Sequence, residues 1–149
     1  RRPAPNTIPW DSKAAGLYMI CTLSKHEAEK QGYAESLMLD YEGNVAEGTS
    51  ANIFFKDKNN ELHTPIPDSF LNGITRQTVI ELAKSKEIKI HERKISPDEL
   101  PNFSGCFLTG TAAEITPVAN ILENTYQVCD LILDLSKSYE KLVRQKKAA

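Results

Sequence analysis

Four short stretches of this 149-residue chain have the residue types needed to hold a charged small molecule. In the first, Glu47 precedes the small residues Gly48-Thr49-Ser50, and the apolar run over 51–55 predicts a buried strand. A carboxylate at such a corner, at the edge of a core, usually has a cationic partner because an unpaired buried charge is too costly. Glu47 is therefore expected to face a positive charge.

Two further stretches have the pattern of anion-binding backbone. Gly73-Ile74-Thr75 opens a predicted helix, whose N-terminus leaves free N–H groups and the positive end of the helix dipole. The segment Thr109-Gly110-Thr111-Ala112-Ala113 follows a predicted buried strand, and small residues with consecutive exposed N–H groups form an anion-binding concavity. Each pattern also occurs without a ligand, as a plain helix start or as a tight turn between strands.

The fourth stretch contains Lys13, which lies between Asp11-Ser12 and Ala14-Ala15-Gly16 at the entry to a predicted helix. These small neighbours leave room for a bulky adduct, although a single lysine is by default a solvated surface charge. Tyr18, further along, is by default a core aromatic with a hydrated hydroxyl. One ligand could use all four stretches if it carried a phosphate, needed a carboxylate partner and formed an imine with lysine. Pyridoxal phosphate has these three features.

Helices and strands alternate along the chain to position these stretches. We predict an extended segment over 1–12, a helix over 16–31, an antiparallel meander over 36–66, a helix over 73–86, a half-exposed strand over 87–92, a short helix from Ser96, strands over 105–108 and 114–121, and a closing segment over 131–149 whose helix spans 131–144. Because short hairpins join the first strands, we expect a mixed sheet packed with helices, which is an α/β (mixed α+β) fold.

The composition argues against several classes of protein. The net charge is −2, and no basic stripe mixed with aromatic residues indicates nucleic-acid binding. No apolar run approaches the ~20 residues of a membrane helix, and no signal peptide is recognisable. Cys21, Cys106 and Cys129 lie far apart in apolar surroundings, with no histidine at ligand spacing. We therefore predict reduced core cysteines, no metal site and a cytoplasmic protein.

The sequence resembles the branched-chain amino acid aminotransferases, which belong to the class IV (fold type IV) pyridoxal phosphate enzymes. The similar stretches are 1–9, 13–18, 47–54, 72–76 and 109–118, in the same order as in the family and with consistent spacing. The resemblance implies a C-terminal pseudo-barrel domain that binds pyridoxal 5'-phosphate and transfers an amino group between leucine, isoleucine or valine and 2-oxoglutarate. It also implies that the partners are small amino acids and 2-oxo acids, and that the assembly is a homodimer or a higher oligomer of dimers.

The resemblance implies a role for each candidate residue. Lys13 would be the Schiff-base lysine and the proton carrier, and Glu47 would keep the pyridinium nitrogen protonated. Tyr18 would hydrogen-bond the phenolic oxygen of the cofactor. The anionic groups would be bound by backbone N–H groups and one hydroxyl: the phosphate at Ile74, Thr75 and the Thr111 side chain, and the substrate carboxylate at the N–H groups of Thr111 and Ala112.

Two features depart from the family pattern. Family members carry an N-terminal α+β domain that supplies an arginine to the phosphate, part of the substrate pocket and a loop to the partner subunit. Because the sequence starts at Arg1 without a methionine, we expect 1–149 to be the C-terminal domain alone, weak in cofactor binding and inactive by itself. Residues 119–130 also lack the glycine-containing turn common in the family. A D-amino acid aminotransferase of the same fold and a catalytically inert fragment stay open as alternatives.

Overall fold

The computed structural model describes residues 1–145 and contains nine strands and three α-helices in that part of the chain. The strands are β1 Leu37–Leu39, β2 Val45–Gly48, β3 Asn52–Lys56, β4 Leu62–Thr64, β5 Ile90–Glu92, β6 Gly105–Gly110, β7 Glu114–Pro117, β8 Asn120–Ile121 and β9 Asn124–Thr125. The α-helices are α1 Met19–Lys30, α2 Ile74–Ser85 and α3 Asp130–Val143, and short 3-10 helices span Ala15–Leu17 and Pro97–Asn102.

A five-stranded sheet in the order β5-β4-β3-β6-β7 is the centre of the fold. The pair β4–β5 is parallel, because α2 lies between them as a crossover, and the other pairs are antiparallel. Every residue of the central strand β3 is buried, so both faces of the sheet are covered. The predicted mixed α/β sheet is confirmed.

The core lies on both faces of this sheet. On one face, the rings of Phe54 and Phe107 stack with centroids 5.0 Å apart, and helices α2 and α3 cover them with apolar side chains that include Ile132 and Leu135. On the other face, Phe55 stacks on Phe103, which follows the 3-10 helix Pro97–Asn102. That helix begins with the capping box of Ser96, as its Ser-Pro-Asp-Glu sequence predicts.

The predicted meander over 36–66 is wrong as a single sheet. Strands β1 and β2 form their own two-stranded sheet, whereas β3 and β4 belong to the main one. The chain changes sheet at the corner 49–51, where the Gly48 N–H donates to the Ala51 carbonyl at 2.7 Å. Glu35 fixes this corner because its carboxylate accepts from both the N–H and the hydroxyl of Thr49.

Two smaller predictions also need correction. Residues 1–12 form successive turns, with the Thr7 N–H donating to Ala4 and the Ser12 N–H donating to Pro9, and are not one extended segment. The strand predicted over 114–121 is divided into β7 and β8. The hairpin β8–β9 turns at Leu122 with φ of 51°, a left-handed conformation adopted here without a glycine.

The remaining elements agree with prediction in place and type. The three cysteines carry free thiols, with Cys21 and Cys106 buried and Cys129 half-buried. The closing helix is confirmed as α3, and the rest of the predicted segment, 146–149, lies outside the described residues. Among residues 1–145, no helix has the length and apolar character needed to cross a membrane.

We expect Leu135→Ala to lower the free energy of unfolding by about 2–5 kcal/mol, since a fully buried leucine is removed from the α3–sheet interface. The matched control is Leu133→Ala in the same helix, where the side chain is 42% exposed. Its expected change lies within about 0.5 kcal/mol. Urea unfolding of both variants tests this, and equal losses would contradict the assigned face of α3.

Candidate active site

Glu47 lies near the end of β2 and is buried, with only 7% of its surface exposed. Strand β2 carries one extra residue against β1, because Leu39 pairs with Val45 whereas Met38 pairs with Glu47. Such a β-bulge breaks the regular alternation of side chains and re-aims the residues beside it. The bulge therefore helps to explain how Val45, Ala46 and Glu47 are all buried in succession.

The Glu47 carboxylate faces a positive charge, as expected from the sequence, and the charge belongs to Arg2. Atom Nε of Arg2 lies 3.3 Å from Oε1 of Glu47, and the Arg2 side chain is 2% exposed. The pKa of Glu47 is raised to about 8, mainly by burial and also by the nearby carboxylate of Glu35, whereas Arg2 opposes this rise. Glu47 is thus an incompletely compensated buried acid.

Arg2 was not identified from the sequence, where it was only part of the lead-in. Its backbone N–H donates to the Leu39 carbonyl, and its Nη1 donates to the Leu17 carbonyl at 2.8 Å and to Sγ of Cys21 at 3.1 Å. The only available signal was indirect, because a buried carboxylate requires a cation. Nothing local at positions 1 and 2 indicates which arginine supplies it.

Asn52 connects Glu47 to the start of α2. Its Nδ2 donates to the Leu71 carbonyl at 2.9 Å and lies 3.4 Å from Oε2 of Glu47, while its Oδ1 accepts from the Gly73 N–H at 3.1 Å. The amide therefore spans from the carboxylate to the helix N-cap. Asn52 is a second site residue that sequence reasoning missed: it lies within the stretch 47–54, but the sequence alone indicates no role for it.

The N-terminus of α2 has the free N–H groups that its sequence predicts. Gly73 is the N-cap, with extended backbone and no side-chain cap, and the first intrahelical bond is from the Gln77 N–H to the Gly73 carbonyl. The N–H groups of Ile74 and Thr75 therefore have no partner within the helix. The Ile74 side chain is 83% exposed, whereas the Thr75 side chain is buried with Oγ1 3.3 Å from the Tyr139 hydroxyl.

A buried arginine anchors this helix start. Arg76 is 1% exposed, and its guanidinium donates to Oδ1 of Asn72, to the Pro65 carbonyl and to Oε2 of Glu92, at 2.9, 2.9 and 2.7 Å respectively. These contacts join the loop before α2 to strand β5. Arg76 therefore contributes to the direction in which the first turn of α2 points.

The turn between β6 and β7 lies beside the corner that follows Glu47. Thr109 pairs with Asn52 across β6 and β3, and a Cβ on Gly110 would be 3.5 Å from the Ser50 carbonyl. Thr111 and Ala112 follow in the turn and are exposed. The hydroxyl of Thr109 is buried and has no hydrogen-bond partner within residues 1–145. This edge of the sheet therefore carries both an exposed turn and an unsatisfied polar group.

The segment with Lys13 and Tyr18 reaches the same region through Arg2, whose Nη1 donates to the carbonyl of Leu17, the residue before Tyr18, and whose Nε lies 3.3 Å from Glu47. Burial raises the pKa of the Tyr18 hydroxyl, and the Glu47 carboxylate raises it further. Lys13 is exposed and makes no hydrogen bond or ion pair with any other described residue. A Cβ on Gly16 would meet no atom within 4 Å, so the predicted open space beside Lys13 is present.

A large cleft lies elsewhere. A cleft of about 880 Å³ runs between the C-terminal half of α1, β1 and the β7–β8 segment, and none of the seven predicted site residues lines it. Its lining is mainly apolar, with Leu37, Leu108 and Val118 among the side chains. We place the site instead where Glu47 lies beside the start of β3 and the N-terminus of α2, because the buried acid and the free N–H groups are there.

A second polar cluster, Glu61, His63 and His91, satisfies its own hydrogen bonds. Nδ1 of His63 accepts from Nε of Arg93 at 3.1 Å, so its Nε2 carries the proton and faces Asp57 at 3.4 Å. Burial lowers the pKa of His63, which favours this neutral form. Nε2 of His91 lies 2.6 Å from Glu61. His63 thus has no lone pair free for a metal ion, and we assign this cluster a structural role.

Comparison with known proteins places the chain in a family. Residues 2–121 match the model of the amino-transferase class IV family. The chain belongs to the class IV aminotransferases. A probable branched-chain-amino-acid aminotransferase of Rickettsia felis is 45% identical over 150 residues, covering 97% of this chain and 51% of that protein. The chain thus spans about half the length of the curated relatives it matches.

Solved structures of class IV aminotransferases share the fold. The branched-chain aminotransferase of Thermoproteus uzoniensis with norvaline superposes with a TM-score of 0.91 at 37% identity, over 96% of this chain and 48% of that one. The branched-chain amino acid aminotransferase of Thermobaculum terrenum, in its pyridoxal phosphate-bound holo-form, superposes with a TM-score of 0.90 at 35% identity, over 95% of this chain and 48% of that one. The expected family and its mixed α/β fold are confirmed.

The raised pKa of Glu47 predicts a pH-dependent stability of the cofactor-free chain. Between the ordinary value of 4.5 and the folded value of about 8, the folded chain retains a proton that the unfolded chain has lost. Stability should therefore fall as pH rises through this window, by up to about 1.4 kcal/mol per pH unit from this group. In urea unfolding, Glu47→Gln should lack this slope, whereas Glu123→Gln at an exposed site should keep it. Parallel curves for wild type and Glu47→Gln would contradict the prediction.

Gly73 should not accept a larger residue, because a Cβ there would lie 2.5 Å from Oδ1 of Asn52. We expect Gly73→Ala to displace Asn52 and to lower the free energy of unfolding by about 1–3 kcal/mol. Gly16→Ala is the control, since no atom lies within 4 Å of its added Cβ. Thermal unfolding of the two variants decides the matter, and an unchanged Tm for Gly73→Ala would show that Asn52 can move at no cost.

Proposed function

We propose that this chain forms the cofactor-binding part of a pyridoxal phosphate-dependent branched-chain amino acid aminotransferase. The observation that carries the proposal is the continuous connection from Glu47 through Asn52 to Gly73. It joins a buried acid, suited to a ring nitrogen, to a helix N-terminus suited to a phosphate. The 45% identity to the Rickettsia felis protein supports the same activity.

The residues present fit the proposed cofactor. Glu47 has one ion pair at 3.3 Å and one contact at 3.4 Å, so a buried carboxylate still has capacity to accept from an N–H group. The α2 N-terminus has no side-chain cap, which leaves its first N–H groups for an anion. The unpartnered hydroxyl of Thr109 lies across from Asn52 on the same edge. Each of these groups gains a partner if a ligand with a ring nitrogen and a phosphate binds there.

Each residue then has a defined task in binding. Glu47 accepts a hydrogen bond from the ring nitrogen and balances its charge, while Tyr18 donates to the phenolic oxygen of the cofactor. The remaining contacts bind anionic groups: the N–H groups of Ile74 and Thr75 and the hydroxyl of Thr111 hold the phosphate, and the N–H groups of Thr111 and Ala112 hold the substrate carboxylate. Thr111 would thus contribute to both anion sites, through its hydroxyl to one and its N–H group to the other.

Lys13 would perform the proton transfer. Its amine anchors the cofactor between turnovers, and Nζ then takes the proton from Cα of the amino acid and returns it to the product side. When bound, pyridoxal phosphate supplies the electron sink for the loss of that proton. Lys13 is exposed, and no hydrogen bond or ion pair to another described residue holds its side chain in place.

The proposed substrates are leucine, isoleucine or valine with 2-oxoglutarate. The norvaline complex of the Thermoproteus uzoniensis enzyme supports an aliphatic amino acid as one amino donor. A second solved branched-chain amino acid aminotransferase is complexed with N-(5'-phosphopyridoxyl)-L-glutamate, which supports glutamate as the other. Assembly as a homodimer and location in the cytoplasm stay predictions, as do the roles of the individual residues.

Lys13 can be tested by borohydride reduction of the natural full-length protein loaded with pyridoxal phosphate. We expect the cofactor to be fixed on the peptide that contains Lys13, and Lys13→Ala to lower L-leucine transamination by at least ~100-fold, because acid–base catalysis typically contributes ~10²–10⁴-fold. Lys30→Ala, at an exposed lysine of α1, should retain activity. Label on Lys25 or Lys30 would refute the assignment. Turnover of D-alanine in place of L-leucine would instead favour the D-amino acid aminotransferase.

A further inference from the structure

Arg2 contacts four elements around the candidate site. Its guanidinium lies against the Glu47 carboxylate, its Nη1 reaches the carbonyl of Leu17, and the same Nη1 contacts the thiol of Cys21 in α1. Its backbone N–H donates to the carbonyl of Leu39 in β1. Arg2 is therefore held through both its backbone and its guanidinium, and the side chain cannot turn to solvent without breaking several contacts.

The contact with Leu17 connects Arg2 to the segment that carries the proposed catalytic lysine. Leu17 is the last residue of the 3-10 helix that begins two residues after Lys13, and Tyr18 follows directly. The contact with Leu39 connects Arg2 to the strand that pairs with β2, where Met38 is opposite Glu47. One side chain thus spans the two segments that supply Lys13, Tyr18 and Glu47.

Among the described residues, Arg2 supplies the positive charge that favours the ionised form of Glu47. Glu35 disfavours the charged carboxylate, and Tyr18 and Cys21 bring no positive charge. Arg2 is the cation that opposes the effect of burial on the pKa of Glu47. The ion pair is not aligned as a hydrogen bond, since the Nε–H of Arg2 lacks an acceptor within residues 1–145. Glu47 therefore keeps its lone pairs for another donor.

We infer that Arg2 is a positioning residue, which favours the ionised form of the Glu47 carboxylate toward the cofactor ring and fixes it relative to the segment of Lys13 and Tyr18. The inference rests on the proposed function, because the ring nitrogen needs a charged acceptor. Arg2 would act through Glu47, without contacting the cofactor or the substrate itself.

The first test is a pH titration of Glu47 in cofactor-free protein, in which the ¹³C NMR signal of its carboxyl group is measured. Arg2→Met should raise the midpoint by about 1–3 pH units, the usual effect of removing an opposite charge next to a carboxyl group. Arg2→Lys keeps the positive charge, so its Glu47 midpoint should stay close to that of the wild type. It should lose the contact with Leu17, because an ammonium lacks the planar fork of arginine. Arg1→Met is the matched control, since Arg1 is the exposed neighbour and contacts only the Tyr41 carbonyl by hydrogen bond among the described residues.

The second test is the binding of pyridoxal phosphate to the natural full-length protein at pH 7.5. Arg2→Met should weaken binding at least ~tenfold, because raising the pKa of Glu47 by about one unit lowers the ionised fraction of its carboxyl group by about that factor. It should also shift the pH dependence of the cofactor absorbance. In a Glu47→Gln background the same substitution should add little, because Arg2 acts through that carboxylate.

Three outcomes would overturn the inference. These are an unchanged Glu47 midpoint in Arg2→Met, an equal effect of Arg1→Met, and a full loss of cofactor affinity by Arg2→Met in the Glu47→Gln background. The last would indicate a purely structural role, and Arg2→Lys with circular dichroism shows whether folding is involved. A wild-type protein that does not bind pyridoxal phosphate would refute the proposed function instead, while the titration of Glu47 still decides the role of Arg2.

Discussion

The burial of a carboxylate is the constraint on which the site depends. Glu47 is buried, with 7% of its surface exposed, and burial favours the protonated form of a carboxyl group unless a cation lies beside it. The chain meets this requirement with Arg2, a residue 45 positions earlier, whose own burial is supported by the Leu17 carbonyl and the Cys21 thiol. The lead-in segment, the lysine segment and β2 are therefore joined around one ion pair.

The main sheet brings the other parts of the candidate site together. Strands β3 and β6 run antiparallel through the core, so the corner before β3 and the turn after β6 meet at one edge. Helix α2 returns to the same edge, because Asn52 at the start of β3 accepts from the Gly73 N-cap. Rigid elements thus carry the free N–H groups, while the amine of Lys13 is on an exposed segment. Rigid anion sites combined with an exposed lysine suit a cofactor that must be held while its substrates change.

Much of the site could be predicted from sequence because the motifs are local. A glycine before a helix, a small-residue turn after a strand and an acid at a corner each follow from short-range rules, and the structure has a helix start, a turn and a buried acid at these positions. Arg2 and Asn52 could not be found in this way. Their partners are distant in sequence or depend on how β2 bulges and leaves its sheet, which no window of neighbouring residues determines.

The sequence by itself determined the family, the order of helices and strands, and the residues that could bind a phosphate, a ring nitrogen and an amino acid. These features depend on propensity, spacing and motif, which are properties of short segments. Only the tertiary structure decided that the cation beside Glu47 is Arg2, that the hydroxyl of Thr75 is turned toward Tyr139, and that the first strands separate into two sheets. The physical reason is that burial and charge pairing are set by contacts between segments far apart in the chain, and these contacts exist only once the core has formed.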